Sequence, residues 1–317
     1  MEYRTLGNSG LLVSVVGLGC NNFGVRLDAD GTRAVVDAAI DAGVTLLDTA
    51  DMYGGGGGSE TFLGQALKGR REQVVLATKF GHQGFDMGYG TAAGAKGGRK
   101  YIRHAVEESL RRLQTDHIDL YQLHTPDPHT PIAETLAALS ELVREGKVRY
   151  IGHSNLDGWQ IAEAAHVARE LGAEAFISAQ NEWSLLTREV EREVVPASIH
   201  YGLGVLPYFP LANGLLTGKV RRATGVPEGS RLAGRPERVT EAGLDAVERL
   251  AAWGEKHGHS VLEIGLAGLA AQPGCASVIA GAMSAEQIRA NAAAGAWVPT
   301  AEELADIEEA LQPTSAS

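Results

Sequence analysis

Cysteine is nearly absent: 317 residues contain only Cys20 and Cys275. Two thiols make neither a disulfide scaffold nor a four-ligand zinc site, and reduced thiols point to the cytoplasm. Positive charge is also in deficit. The 28 Lys and Arg face 39 Asp and Glu, a formal net of −11. That balance disfavours general binding to nucleic acid or to an anionic membrane. No apolar run approaches the roughly 20 residues that span a bilayer. Met1-Glu2-Tyr3-Arg4-Thr5 lacks the basic start and apolar stretch of a secretory signal. Neither an HExxH word nor a carboxylate cluster is present, so no metal is expected.

What the chain does have is ordinary globular composition, 44% hydrophobic and 21% charged, with 40 glycines. Glycine permits tight turns and close backbone approach to a ligand. Short β-branched runs alternate with longer amphipathic stretches. Runs at 15–20, 44–48, 74–79, 118–124, 148–154, 176–180, 205–208 and 277–281 read as strands. Helical patterns follow at 32–42, 60–67, 101–113, 132–143, 159–168 and 189–201, and again after the last two runs. In the third helix Ile102, Val106, Leu110 and Leu113 share one face. Repeated strand–helix units with buried strands imply a parallel sheet. Eight of them suggest one α/β domain over residues 1–317, a (β/α)₈ TIM barrel, with an open doubly wound sheet as the alternative. Residues 3–5 and 12–14, joined by Gly7-Asn8-Ser9-Gly10, read as a hairpin covering the barrel floor. Irregular stretches at 81–99 and 211–239 are long enough to be functional.

The strand ends are polar. They carry Asp48, Lys79, His124, Ser154-Asn155, Gln180 and Tyr208 in order. A closed barrel brings these ends to one rim, where active sites lie. Carbonyl reduction needs a proton at oxygen, which Tyr53 can supply. A free phenol has a pKa of about 10, and a nearby Lys79 cation would ease its release. Asp48 would hold that ammonium. His124 would donate to the carbonyl oxygen or relay a proton. His153 reads as a core residue, and His257 and His259 as surface residues.

The words around these residues are more specific. They include Leu47-Asp48-Thr49-Ala50-Asp51-Met52-Tyr53-Gly54, Ala77-Thr78-Lys79-Phe80-Gly81 and Asp119-Leu120-Tyr121-Gln122-Leu123-His124. Gly152-His153-Ser154-Asn155, Gln180-Asn181-Glu182-Trp183 and Tyr208-Phe209-Pro210-Leu211-Ala212-Asn213-Gly214 follow in order. From about Arg4 to about Leu311 this succession resembles the aldo-keto reductase superfamily. The resemblance implies a barrel that binds NADP(H), or less often NAD(H), in extended form. It implies a catalytic tetrad of Asp48, Tyr53, Lys79 and His124.

The resemblance also implies the cofactor site. Gly19, Cys20 and Asn21 would lie beneath the nicotinamide ribose, with Asp48 beside them. Ser154, Asn155 and Gln180 would bind the carboxamide, and Trp183 would stack on the nicotinamide ring. Tyr208, Pro210, Leu211, Gly214, Lys219 and Arg231 would line the central loop. Gly281, Met283, Gln287 and Asn291 would hold the adenosine end. Ser284-Ala285-Glu286-Gln287 spells a capping box, and a helix N-terminus there offers N–H groups to a phosphate. Many relatives place Arg or Lys between positions 281 and 283, where this chain has Gly-Ala-Met. Arg289, Lys219 or Arg231 would then supply the charge. Phe23, Met52, Phe85 and Tyr89 would line an apolar substrate pocket. Gly88-Tyr89-Gly90-Thr91-Ala92-Ala93 and Gly214-Leu215-Leu216-Thr217-Gly218-Lys219 lack the context of phosphate loops.

The expected activity is NADP(H)-dependent reduction of aldehydes or ketones, a small-molecule carbonyl or alcohol being the partner. The alternatives are an alcohol or sugar dehydrogenase running oxidatively, or a non-catalytic nicotinamide-binding sensor resembling a potassium-channel β-subunit.

Overall fold

A computed structural model describes residues 1–312. The chain opens with a hairpin, β1 (Tyr3–Thr5) and β2 (Leu12–Ser14), paired antiparallel. Eight parallel strands follow: β3 (Val16–Gly19), β4 (Leu46–Asp48), β5 (Val75–Phe80), β6 (Ile118–Leu123), β7 (Val148–Ser154), β8 (Ser178–Gln180), β9 (Gly204–Val205) and β10 (Val278–Gly281). Each pairs with its successor, and β10 pairs with β3. Closure between β9 and β10 rests on separate bonds. Val205 N–H donates to Gly274 O, Ala276 N–H to Val205 O, and Ile279 N–H to Pro207 O, at 2.8, 2.9 and 2.9 Å. The sheet is a (β/α)₈ barrel.

The helices are α1 (Ala29–Asp41), the single turn α2 (Tyr53–Gly56), α3 (Gly58–Ala66), α4 (Arg99–Leu113), α5 (Ile132–Arg144) and α6 (Gly158–Leu171). After them come α7 (Val194–Tyr201), α8 (Glu241–His257), α9 (Val261–Ala270), α10 (Ala285–Ala294) and α11 (Ala301–Leu311). Side chains cap several N-termini. Asp28 accepts from Gly31 N–H, and reciprocal boxes form at Ser260/Glu263 and Thr300/Glu303. None of the helices among the described residues is long and apolar enough to cross a membrane.

Two cores result. Between strands and helices lie the large apolar clusters, including Leu18, Val36, Leu63, Ile102 and Leu139. Inside the barrel, Leu46, Ala77, Leu120, Leu206 and Ile279 meet Leu6 and Val13 from the hairpin, which plugs the floor. The alternation of a strand then sets the site. Two residues beyond Leu46, Ala77 and Leu120, the next inward positions are Asp48, Lys79 and Gln122.

Four expectations change. The seventh barrel strand is shorter than 205–208, because Pro207 has no N–H to donate. The helix expected over 189–201 divides into a 3₁₀ turn, Glu189–Arg192, and α7, with Glu193 out of helical geometry between them. Ser284 caps Gln287 N–H, but Gln287 Oε1 accepts from Met283 N–H rather than from Ser284 N–H, so the box there is half-formed. His259 is half-buried, stacking 3.9 Å from Trp297, while His257 is exposed as expected and stacks 4.2 Å from Trp253.

Candidate active site

Lys79 is completely buried at the end of β5. Its Nζ donates to Asp48 Oδ2 at 2.6 Å and to Thr49 O at 2.8 Å. Asp48 Oδ1 accepts from Gln180 Nε2 at 2.9 Å and from Gln122 Nε2 at 3.2 Å. Asp48 is thus held by an ammonium on one oxygen and two amides on the other. Burial pulls the Lys79 ammonium down, but Asp48 and Tyr53 more than offset it and hold it above its ordinary value. It remains a cation throughout the neutral range.

Tyr53 opens α2, with its ring centroid 5.1 Å from Lys79 Nζ and 5.9 Å from the His124 ring, nearly perpendicular. Glycine makes this turn. Gly54 has φ +75°, and a Cβ there would fall 2.5 Å from Ser59 N. Burial raises the Tyr53 phenol against the downward pull of Lys79, so it holds its proton at neutral pH. His124 extends the ladder, its N–H donating to Phe80 O at 2.8 Å. Burial, then Lys79 and His82, keep its imidazole well below the usual histidine range. The corner therefore contains a protonated phenol, a neutral imidazole and an ammonium neutralised from behind.

Below it lies a second buried cluster. Glu60 accepts from Arg112 Nε at 2.7 Å and from Thr78 Oγ1 at 2.6 Å. Asp51 is 1% exposed, and neither of its oxygens has a side-chain partner among the described residues. Burial and the nearby Glu60 carboxylate push its carboxyl up to about 7.

The expected cofactor residues divide. Ser154 Oγ donates to Gln180 O at 2.8 Å, Asn155 Nδ2 to His124 O at 3.0 Å, and Tyr208 Oη to Asn155 Oδ1 at 3.0 Å. These form one wall beside the tetrad. Opposite, Arg231 Nη2 reaches Asn21 Oδ1 at 3.2 Å and Asn22 Oδ1 at 3.3 Å, and its guanidinium lies over the Phe209 ring. Gly281 faces this group; a Cβ there would lie 3.5 Å from Asn22 Nδ2. Gly19 ends β3 alongside, two residues before Asn21. Between the walls runs 209–214, where Phe209, Ala212 and Asn213 all have positive φ. Pro210 is buried there, Leu211 and Gly214 are half-buried, and Asn213 Oδ1 is buried without a partner.

Other residues stand elsewhere. Trp183 is 1% exposed, in an apolar cluster, with Nε1 on Glu191 at 2.8 Å. It offers no ring face to a ligand, and Tyr208 is the aromatic available at this wall. Cys20 points into the core with Sγ on Leu18 O, so only its backbone borders the site. Phe23 is fully buried, and Tyr89 turns onto His104 and Tyr101 at 4.4 and 5.3 Å; neither lines an open pocket. Met52 and Phe85 are half-exposed, Phe85 lying against Gly56. Asn291 is buried with Nδ2 on Gly281 O, and with Gln287 it braces the turn into α10. Lys219 is exposed.

The family model described as "Aldo/keto reductase family" matches residues 15–312. The chain belongs to this family. It is 40% identical over 296 residues to "Uncharacterized oxidoreductase YrpG" of Bacillus subtilis (strain 168), covering 91% of this chain and 89% of that one. It is 36% identical over 330 aligned positions to "Probable voltage-gated potassium channel subunit beta" of Oryza sativa subsp. japonica, covering 98% and 97%. It is 31% identical to "L-glyceraldehyde 3-phosphate reductase" of Escherichia coli O157:H7, covering 98% and 92%. This aldo/keto reductase family member is therefore related to oxidoreductases along almost its whole length.

Sequence reasoning missed Gln122, Asn22, Arg112 and His82. Gln122 had a readable signal, a polar residue on the inward face of a buried strand. His82 had none, because it starts a glycine-rich loop without periodicity.

Proposed function

We propose that the protein is an NADP(H)-dependent reductase of aldehydes or ketones, with Tyr53 as general acid. The observation that carries this reading is the corner itself: a protonated Tyr53 and a neutral His124 face one space, with Lys79 charged and sealed behind them. Tyr53 and His124 clamp the carbonyl oxygen between two donors, in the manner of an oxyanion site. Lys79 stabilises the phenolate left after Tyr53 gives up its proton, and Asp48 keeps Lys79 in place. A bound nicotinamide would supply the hydride.

The residues present fit such a cofactor. Arg231 is a cation held only by amide oxygens and a ring among the described residues, suited to a phosphate. The strained run at 209–214 has N–H donors to offer the same group. Ser154, Asn155 and Gln180 would hold the carboxamide, and Tyr208 would stack on the ring in place of Trp183. Gly281, Met283, Gln287 and the α10 N-terminus would receive the adenosine end. With no cation from 281 to 287, the preference for NADP(H) over NAD(H) is narrow. Met283→Arg should widen it by about tenfold or more, a charge-assisted bond being worth roughly 1.5–3 kcal/mol.

The decisive assay is NADPH oxidation by the purified protein with simple aldehydes, repeated with NADH. Turnover with NADPH that exceeds turnover with NADH supports the reading. Equal or better use of NADH would remove the NADP assignment. The relative named as a potassium channel subunit favours a second reading, a nicotinamide-binding protein without turnover. Tight NADPH binding with no aldehyde reduction would select it.

A further inference from the structure

We propose that His82 is a specificity-determining residue, a second imidazole placed to donate from Nε2 to an oxygen on the carbon next to the substrate carbonyl. The proposal rests on the reductase reading of the corner. The His82 ring stands 4.8 Å from the His124 ring at 79°, and His124 stands 5.9 Å from Tyr53 at 82°. Three rings therefore run in series along the rim. The first two converge on a carbonyl oxygen; the third lies one step further along the same edge.

The tautomer of His82 is set by its own loop. Its Nδ1 accepts from Gly84 N–H at 3.1 Å, which leaves the proton on Nε2 in the neutral ring. Among the described residues Nε2 has no protein partner, and it is not sealed from solvent. Burial and the Lys96 ammonium hold the ring below its ordinary pKa, so it is a neutral donor at physiological pH.

The loop is also fixed in place. Lys96 Nζ donates to three carbonyl groups of one turn, those of His82 at 2.6 Å, Gln83 at 3.2 Å and Phe85 at 2.7 Å. Gln83 N–H donates to Thr125 Oγ1 at 3.0 Å, directly after His124 in the chain. One cation thus gathers the turn, and one hydroxyl ties it to the strand end that carries His124. A donor fixed in this way discriminates between substrates because little entropy is lost when it binds. The favoured class is carbonyl compounds bearing a hydroxyl or keto oxygen on the adjacent carbon.

The test compares a 2-hydroxyaldehyde with the unsubstituted aldehyde of equal chain length, at saturating NADPH. Wild type, His82→Phe and His82→Gln are assayed for kcat/KM. We expect wild type to prefer the 2-hydroxyaldehyde and His82→Phe to lower that preference about tenfold, the scale of one hydrogen bond. His82→Gln keeps an N–H and should recover part of the preference. A preference unmoved in His82→Phe, or lost equally in His82→Gln, overturns the proposal. So does an equal loss on both substrates, which would mark His82 as merely structural. If wild type reduces neither aldehyde, the reductase reading itself has failed.

Discussion

The tetrad corner and the loop across from it are built on opposite plans. In the corner, every charged group sits at or beside a strand end and is satisfied within the protein: Lys79 by Asp48 and Thr49, Asp48 by Lys79, Gln122 and Gln180. Across the mouth, 206–240 contains only 3₁₀ turns and three non-glycine residues at positive φ. Its Arg231 meets amide oxygens rather than a carboxylate. Positive φ costs a non-glycine residue of order 1–3 kcal/mol and persists only where surroundings or a ligand justify it. On one side the charges are complete in themselves; on the other, among the described residues, a cation stands without a charged counterpart and the Asn213 amide oxygen without a polar one.

The largest expected effect breaks the complete side. Lys79→Met leaves Asp48 buried without its cation, which typically costs about 3–5 kcal/mol. A melting curve should show that loss, and turnover should fall about 10³-fold or more. Retention of full activity across neutral pH would remove Lys79 from the proposed chemistry. Tyr53→Phe deletes one hydroxyl and leaves the packing alone. Here kcat should fall about 10²-fold or more while NADPH affinity, read by fluorescence titration, stays near wild type. Near-wild-type turnover would exclude Tyr53 as the acid.

Arg231→Met probes the incomplete side. Loss of a charge-assisted contact worth roughly 1.5–3 kcal/mol should raise the Kd for NADPH by about 10- to 100-fold. Stability should move little, since no carboxylate is left unpaired. A large fall in Tm with unchanged Kd would make Arg231 a structural tie. A separate effect, read on pH, concerns Asp51. Its folded carboxyl titrates near 7, above its unfolded value near 3.8, so the folded state binds the extra proton between those pH values. Stability should therefore decline as pH rises from about 4 to 7 and level off above, at no more than about 1.4 kcal/mol per pH unit. Asp51→Asn should gain on wild type over that window. Parallel stability curves for the two proteins would show that Asp51 is not held protonated.

Legibility in the sequence followed the same division. Asp48, Lys79 and His124 were readable because strand alternation fixes where a polar residue at the end of a buried run must point. The unit count was readable because each amphipathic helix announces itself by its period, as Ile102, Val106 and Leu110 do. Trp183 and Phe23 were misplaced because motif position does not say which way an aromatic ring turns. Trp183 follows its Nε1 to Glu191, and Phe23 follows the apolar core. The partners of Arg231 were unreadable, since 210 residues separate it from Asn21 and only the closed barrel brings them together. Lys96 gave no signal because its partners are backbone carbonyls, which every residue has.

Barrel closure at Pro207 has a consequence for the chain as it opens and reassociates. Only a few amide bonds join β9 to β10, so hydrogen exchange there should outpace exchange in β6 and β7, whose shared ladder is the longest. An opened seam would bare two strand edges, the surface on which one chain can add to another. Proline presents no donor along that edge. The residue that shortens the ladder in the native barrel therefore also makes the exposed border a poor template for aggregation.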